Sequence, residues 1–235
     1  MKSHNAKKLI VALDLSTTDQ AEKLVEVLGE SVSFYKIGLS LLPIGGFTLA
    51  QKLKTLGKKV FLDLKLFDIG NTIENTIRSL SQLDINFLTV HGDPHVVRAA
   101  SRIKDNPNMK ILAVTFLTSL DRKDLAESMI REGKIPDLVV QRAQKAFLSG
   151  ADGVIASPNE AGRIRELKES NGKLIVTPGI RLTKKPVNDQ KRISDPLTAF
   201  KNGSNYIVVG RPITSALNPV EEVKKFQFPE NLKIL

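Results

Sequence analysis

The sequence predicts an α/β chain of the (β/α)8 TIM-barrel class, folded as a single domain over residues 1–235. Short runs rich in Val, Ile and Leu recur along it, as parallel strands buried on both faces require. Helix-period segments separate these runs, so strand and helix alternate from one end to the other. About eight such units fill the 235 residues, which is the size expected of a closed barrel. A doubly wound open sheet is the main alternative. It loses support because no Gly-x-Gly-x-x-Gly run follows the first strand.

The first predicted strand runs from Leu9 to Asp14. Thr17-Thr18-Asp19-Gln20 reads as a helix start, Ala21, Leu24, Val25 and Leu28 supply one apolar face, and Gly29 closes the helix. A second strand is predicted from Phe34 to Gly38, with a helix ending near Gly57. The third is predicted from Val60 to Leu66, with a helix from Asn71 to Leu83, and the fourth from Phe87 to His91, with a helix from Pro94 to Ile103. Ile111 to Leu117 is the predicted fifth strand. One or two helices then cross Asp121 to Leu148, with Gly133 and Pro136 marking a break. The sixth strand is predicted from Gly153 to Ala156, before a helix from Asn159 to Lys168. Leu174 to Thr177 and Tyr206 to Val209 are the predicted seventh and eighth strands, and a last helix is expected from Pro219 to Phe226.

Composition removes several function classes. Cysteine is absent, which excludes a disulfide framework, a thiolate metal site and a cysteine nucleophile. The three histidines never fall at ligand spacing, so no metal site is expected. No apolar stretch reaches the length of a membrane span, and no apolar signal-peptide core follows Met1, so a cytoplasmic location without membrane association is expected. The net charge of +10 raises the question of nucleic acid. The basic residues are scattered and mixed with glutamates, tryptophan is absent, and no basic-aromatic stacking pattern appears. A positive field that attracts a phosphorylated small molecule fits better than a nucleic-acid partner.

Chemistry is expected where polar residues meet strand ends, because function in this fold collects at the C-terminal ends of the strands. The densest case is Asp63-Leu64-Lys65-Leu66-Phe67-Asp68. Side chains alternate along a strand, so Asp63 and Lys65 share one side while Leu62, Leu64 and Leu66 pack on the other. Asp14, Lys36, His91 and Thr118 stand at or near the ends of other strands. Taken alone, Asp14 could accept in a turn and Thr118 could cap a helix. His91 fits a packing role at least as well as a catalytic one, and His4 and His95 are expected at the surface. After the seventh and eighth strands come Pro178-Gly179-Ile180-Arg181 and Gly210-Arg211. Glycine lets backbone N–H groups approach an anion, and arginine offers a planar fork of donors, so these turns suggest a phosphate site.

The run Asp63 to Thr72 resembles the active-site motif of the orotidine 5′-phosphate decarboxylase family. The resemblance extends through Ala12-Leu13-Asp14, Lys36-Ile37-Gly38, Val114 to Ser119, Thr177 to Arg181, Asn188 to Arg192 and Ile207 to Arg211, nearly the whole chain. The Asp-x-Lys-x-x-Asp core alone is also found in related sugar-phosphate decarboxylases and synthases. The Pro-Gly-Ile-Arg, Asn-Asp-Gln and Gly-Arg segments together separate this family from them. Many members carry proline where Gly70 stands, so the loop holding Asp68 is expected to be looser here.

The resemblance implies decarboxylation of orotidine monophosphate to uridine monophosphate, in pyrimidine biosynthesis, with no metal or cofactor. It implies Lys65 as the proton donor, in an alternating charge network with Lys36, Asp63 and Asp68. It also implies a homodimer with a shared active site, Asp68 and Thr72 coming from the neighbouring subunit. Asp14 and Lys36 would hold ribose hydroxyls, and Thr118 would meet the pyrimidine. Arg181, Gly210 and Arg211 would hold phosphate, and Gln190, in a lid from Arg181 to Gln190, would bridge phosphate and base. Acids on both sides of Lys65 favour its ammonium form, which disfavours Schiff-base chemistry. A metal-dependent sugar-phosphate lyase on the same barrel remains the alternative enzyme.

Overall fold

Eight parallel strands close into a barrel in sequence order. The computed structural model describes residues 6–103, 106–182 and 193–228. The strands are β1 (Leu9–Ala12), β2 (Phe34–Gly38), β3 (Lys59–Leu66), β4 (Phe87–His91), β5 (Lys110–Val114), β6 (Gly153–Ile155), β7 (Leu174–Thr177) and β8 (Tyr206–Val209). Closure comes from β1 pairing with β8, Leu9 opposite Ile207 and Val11 opposite Val209.

The outer layer is α1 (Thr18–Leu28), α2 (Gly46–Thr55), α3 (Gly70–Ser81), α4 (Pro94–Arg102), α5 (Arg122–Glu127), α6 (Ile135–Leu148), α7 (Pro158–Arg165), α8 (Pro196–Lys201), α9 (Arg211–Thr214) and α10 (Pro219–Gln227). Local signals act as expected in α1. Thr17 accepts a hydrogen bond from the Gln20 backbone N–H, the four expected apolar residues are buried, and Gly29 ends the helix at φ +47°. The expected break separates α5 from α6, with Gly133 between them and Pro136 in the first turn of α6.

Strand alternation divides the core in two. Ile10, Ala12, Phe34, Phe61, Phe87, Leu112, Val176 and Val208 fill the barrel interior. The intervening residues, among them Leu9, Val11, Tyr35, Ile37, Val60 and Leu62, pack outward under the helices. Each strand is therefore buried on both faces, and only its C-terminal inward positions are left for polar groups.

Two strand ends differ from expectation by two residues or more. β1 stops at Ala12, where its ladder with Lys36 ends, and β5 stops at Val114, opposite the last residue of β4. Asp14 and Thr118 consequently sit on the loops beyond the sheet. The short helices α8 and α9 were not predicted, since six and four residues are too few to show a helical period.

Candidate active site

The mouth of the barrel holds a cavity of about 510 Å³. Asp14, Lys36, Asp63, Lys65, Thr118, Arg181, Gly210 and Arg211 all line it. One wall is a line of alternating charge. The Lys36 ammonium donates to Asp14 Oδ1 at 2.9 Å and lies 3.3 Å from Asp63 Oδ2. Lys65 Nζ donates to Asp63 Oδ1 at 2.8 Å. The order is Asp14, Lys36, Asp63, Lys65, so every charge between the ends has opposite neighbours.

Burial tightens the centre of this line, at Lys36 and Asp63. Lys36 is 7% exposed. Desolvation works against its charge, but Asp63 and Asp14 outweigh it and hold the ammonium above the ordinary lysine range. Burial likewise opposes ionisation of Asp63, yet Lys36 and Lys65, with hydrogen bonds from Lys65 and Thr89, hold its carboxyl below the ordinary carboxylate range. Space for the pair depends on Gly38. A Cβ there would stand 2.8 Å from Asp14 Oδ1 and 3.2 Å from Lys36 Nζ.

Lys65 and Asp63 share the cavity side of β3, as strand alternation predicts, but the strand is not regular. Leu62 pairs with Leu88 and Leu66 with Val90, so β3 uses four steps where β4 uses two. Lys65 adopts φ +49°, a left-handed conformation uncommon for a side-chain-bearing residue. Thr89 bridges the gap. Its hydroxyl accepts from the Lys65 backbone N–H at 3.0 Å and donates to Asp63 Oδ1 at 2.9 Å. Sequence reasoning missed Thr89. The available signal was its inward register between Phe87 and His91, the one hydroxyl in an otherwise apolar and aromatic set.

The adjoining wall comes from β7 and β8, β8 pairing with β1. Gly179 takes φ +77°, which only glycine adopts at little cost, and turns the chain so that Arg181 lines the cavity. Ser194 and Arg181 hold this turn, Arg181 N–H donating to the Ser194 carbonyl and Ser194 N–H to the Gly179 carbonyl. Gly210 and Arg211 stand where β8 passes into α9. Phe116, Leu117 and Ser119 add further lining on the β5 side, around the buried Thr118.

Two expected site residues lie elsewhere. Asp68 and Thr72 are exposed and are not among the residues lining the cavity. Asp68 Oδ1 accepts from the Ile69 N–H at 2.7 Å, and its neighbours Phe67 and Ile69 are 61% and 70% exposed. Gln190, and most of the expected lid, fall outside the described residues. His95 is exposed, as expected, and His91 ends β4 in contact with Asp93. Among the described residues, no three His, Asp or Glu side chains converge in a way that could hold a metal ion, and no helix is long and apolar enough to cross a membrane.

Comparison with known proteins adds an independent line. A sequence model of the orotidine 5′-phosphate decarboxylase / HUMPS family matches residues 7–226. The orotidine 5′-phosphate decarboxylase of Ruegeria pomeroyi is 56% identical over 213 residues, 90% of this chain and 89% of that protein. The enzyme of the same name from a Jannaschia species is 55% identical, over 90% of this chain and 93% of that one. A crystal structure of orotidine 5′-phosphate decarboxylase from Lactobacillus acidophilus superposes with a TM-score of 0.82 at 35% identity, covering 96% of this chain and 99% of that chain. With a closed barrel whose mouth carries paired lysines and aspartates, the chain belongs to the orotidine 5′-phosphate decarboxylase / HUMPS family and is a carboxy-lyase.

Proposed function

We propose that this carboxy-lyase converts orotidine 5′-phosphate to uridine 5′-phosphate and CO2 in pyrimidine biosynthesis, with Lys65 as proton donor. The observation that carries this is the line of alternating charge from Asp14 to Lys65, buried at its Lys36–Asp63 centre and ending on an ammonium at the cavity wall. Loss of CO2 leaves an electron pair on a ring carbon with no electron sink. A fixed ammonium beside that carbon stabilises the charge and then delivers a proton to it. Two unit charges at 4 Å interact by about 4 kcal/mol at an effective dielectric constant of 20. The alternating line keeps Lys65 in place without solvent reorganisation, which is the requirement for electrostatic catalysis.

The cavity suits the rest of a nucleotide. Asp14 and Lys36 would hold ribose hydroxyls, and Thr118 the pyrimidine. Gly210, Arg181 and Arg211 would anchor the phosphate, and Gln190 would join phosphate to base. Remote phosphate binding then organises the reacting end. In this scheme Asp68 and Thr72 serve the cavity of a second copy. Their exposure, beside the exposed Phe67 and Ile69, supports a homodimer that buries this loop. The whole chain acts as one catalytic barrel, in the cytoplasm.

The test is loss of orotidine 5′-phosphate absorbance in chelator-treated buffer, run beside sedimentation of the same sample. Turnover by a two-chain species is expected, and Lys65→Ala should lose nearly all of it while still binding uridine 5′-phosphate. No turnover by the wild type rejects the substrate. Near-wild-type turnover by Lys65→Ala removes that lysine from the chemistry.

A further inference from the structure

Between β4 and α6 lies a polar cluster that the proposed mechanism does not use. His91 Nδ1 and Asp93 Oδ2 form a hydrogen bond. Arg142, on α6, donates from Nη2 to the same Oδ2 at 2.9 Å. Both nitrogens are donors if the His91 proton is on Nδ1, so the 3.1 Å approach of Nη2 to Nδ1 follows from their convergence on one oxygen. Burial opposes ionisation of Asp93, but the hydrogen bond from His91 and the charge of Arg142 outweigh it and hold the carboxyl below its ordinary range.

The cluster carries local costs that an ordinary surface ion pair does not. Asp93 occupies the N-cap position of α4 yet makes no side-chain cap. Arg142 Nε is buried with no hydrogen-bond partner among the described residues. The intervening Gly92 is obligatory, since a Cβ there would stand 2.3 Å from the Val114 carbonyl oxygen and 2.7 Å from Arg142 Nε.

What the cluster touches suggests why these costs are met. On one side the Arg142 guanidinium lies 5.0 Å over the ring of Phe116, a residue of the cavity wall two positions before Thr118. On the other side the His91 ring meets Phe67 edge-on, with centroids 5.0 Å apart, and His95 meets the same ring at 6.0 Å. Phe67 immediately precedes Asp68 and has 61% of its surface exposed, so these rings are a main local restraint on it. With Gly70 just beyond, the loop has no proline to stiffen it.

We propose that His91, Asp93 and Arg142 are positioning residues, which brace the Phe67–Asp68 loop against the Phe116 wall and so set where Asp68 is presented. This rests on the decarboxylase reading, in which Asp68 acts in a neighbouring copy. Misplacement by about 1 Å can cost on the order of a hundredfold in rate. A looser loop should therefore lower kcat while leaving phosphate-driven binding nearly unchanged.

The experiment is a set of double-mutant cycles on the full chain, reading kcat and KM for orotidine 5′-phosphate. His91→Ala and Phe67→Ala should each lower kcat by about tenfold or more, with KM changed by less than about threefold. Combined, they should lose little more than either alone, and His91→Ala should cost less than about twofold in an Asp68→Asn background. His91→Asn, whose amide can still donate to Asp93 but which has no ring to meet Phe67, should recover only part of the rate, and Arg142→Met should behave like His91→Ala. Phe67 is exposed, so its cycle with Asp68→Asn stands even if His91→Ala fails to fold. Multiplicative losses, or a change confined to KM, would overturn the positioning role while leaving the function intact. Absence of turnover in the wild type would overturn both.

Discussion

Thr89 is the residue on which the geometry of β3 turns. It is fully buried, and its one hydroxyl serves two groups on β3, the Lys65 N–H and the Asp63 carboxylate. Its substitution by valine preserves shape and removes both bonds. A buried donor left unpaired costs about 1–3 kcal/mol, and a bond to a charged group lies at the upper end. We expect Thr89→Val to lose about 2 kcal/mol by denaturant unfolding, and to lower kcat at least tenfold as Lys65 leaves its left-handed conformation. Thr89→Ser should restore most of both. Wild-type stability in the valine variant would show that the Lys65 conformation does not depend on this hydroxyl.

At the scale of elements, the junction from β3 to α3 turns on Gly70. Gly70 is the first residue of α3, Ile69 before it lies at φ −62° and ψ 153°, and a Cβ on Gly70 would meet only Ala99 Cβ, at 3.8 Å. Each of these suits proline. The first helical turn leaves its N–H groups unpaired in any case, and the preceding residue is already extended. Gly70→Pro is expected to raise stability by about 0.4–1 kcal/mol, mainly by restricting the unfolded chain. Thermal unfolding measures it, and a lowered midpoint would mean that the loop needs a φ that proline forbids. The same substitution should leave turnover equal or higher, because it stiffens the loop that bears Asp68.

For the molecule as a whole, the charge line links barrel closure to pH. Asp63, on β3, is held ionised below its unfolded range, so it adds stability above about pH 4 that is lost as pH falls through its folded value. Lys36, on β2, is held charged above its unfolded range, so it adds stability below about pH 10 that is lost as pH rises through its folded value. Denaturant midpoints should therefore be compared between wild type and a Lys36→Met/Asp63→Asn double variant from acid to alkali. The difference is expected to be flat between these limits and to change at both ends. A difference that varies most near neutrality would mean that other groups control the pair. Replacing only one partner should be more damaging than replacing both, because it leaves a buried charge uncompensated.

Much of this was legible along the chain, for reasons that are local. The βα alternation showed because each strand is a short apolar run and each long helix has a buried stripe, as Ala21, Leu24, Val25 and Leu28 illustrate. The inward pairing of Asp63 with Lys65 followed from strand alternation, and Gly179, Arg181, Gly210 and Arg211 followed from their places after apolar runs. Other features exist only once distant segments meet. Strand ends at Ala12 and Val114 are set by where the neighbouring ladder stops. The extra steps in β3 and the φ of Lys65 are set by the register against β4 and by Thr89, 24 residues away. That Asp63 faces the cavity while Asp68, five positions on, stays at the surface is decided by where β3 leaves the barrel. The sequence by itself determined which residues carry charge, which segments pair, and the class of barrel they build, because period and residue type are properties of neighbouring positions. Only the tertiary structure decided the line from Asp14 to Lys65 and the burial of the Lys36–Asp63 pair at its centre, because electrostatic partners are chosen by distance across strands and not by order along them.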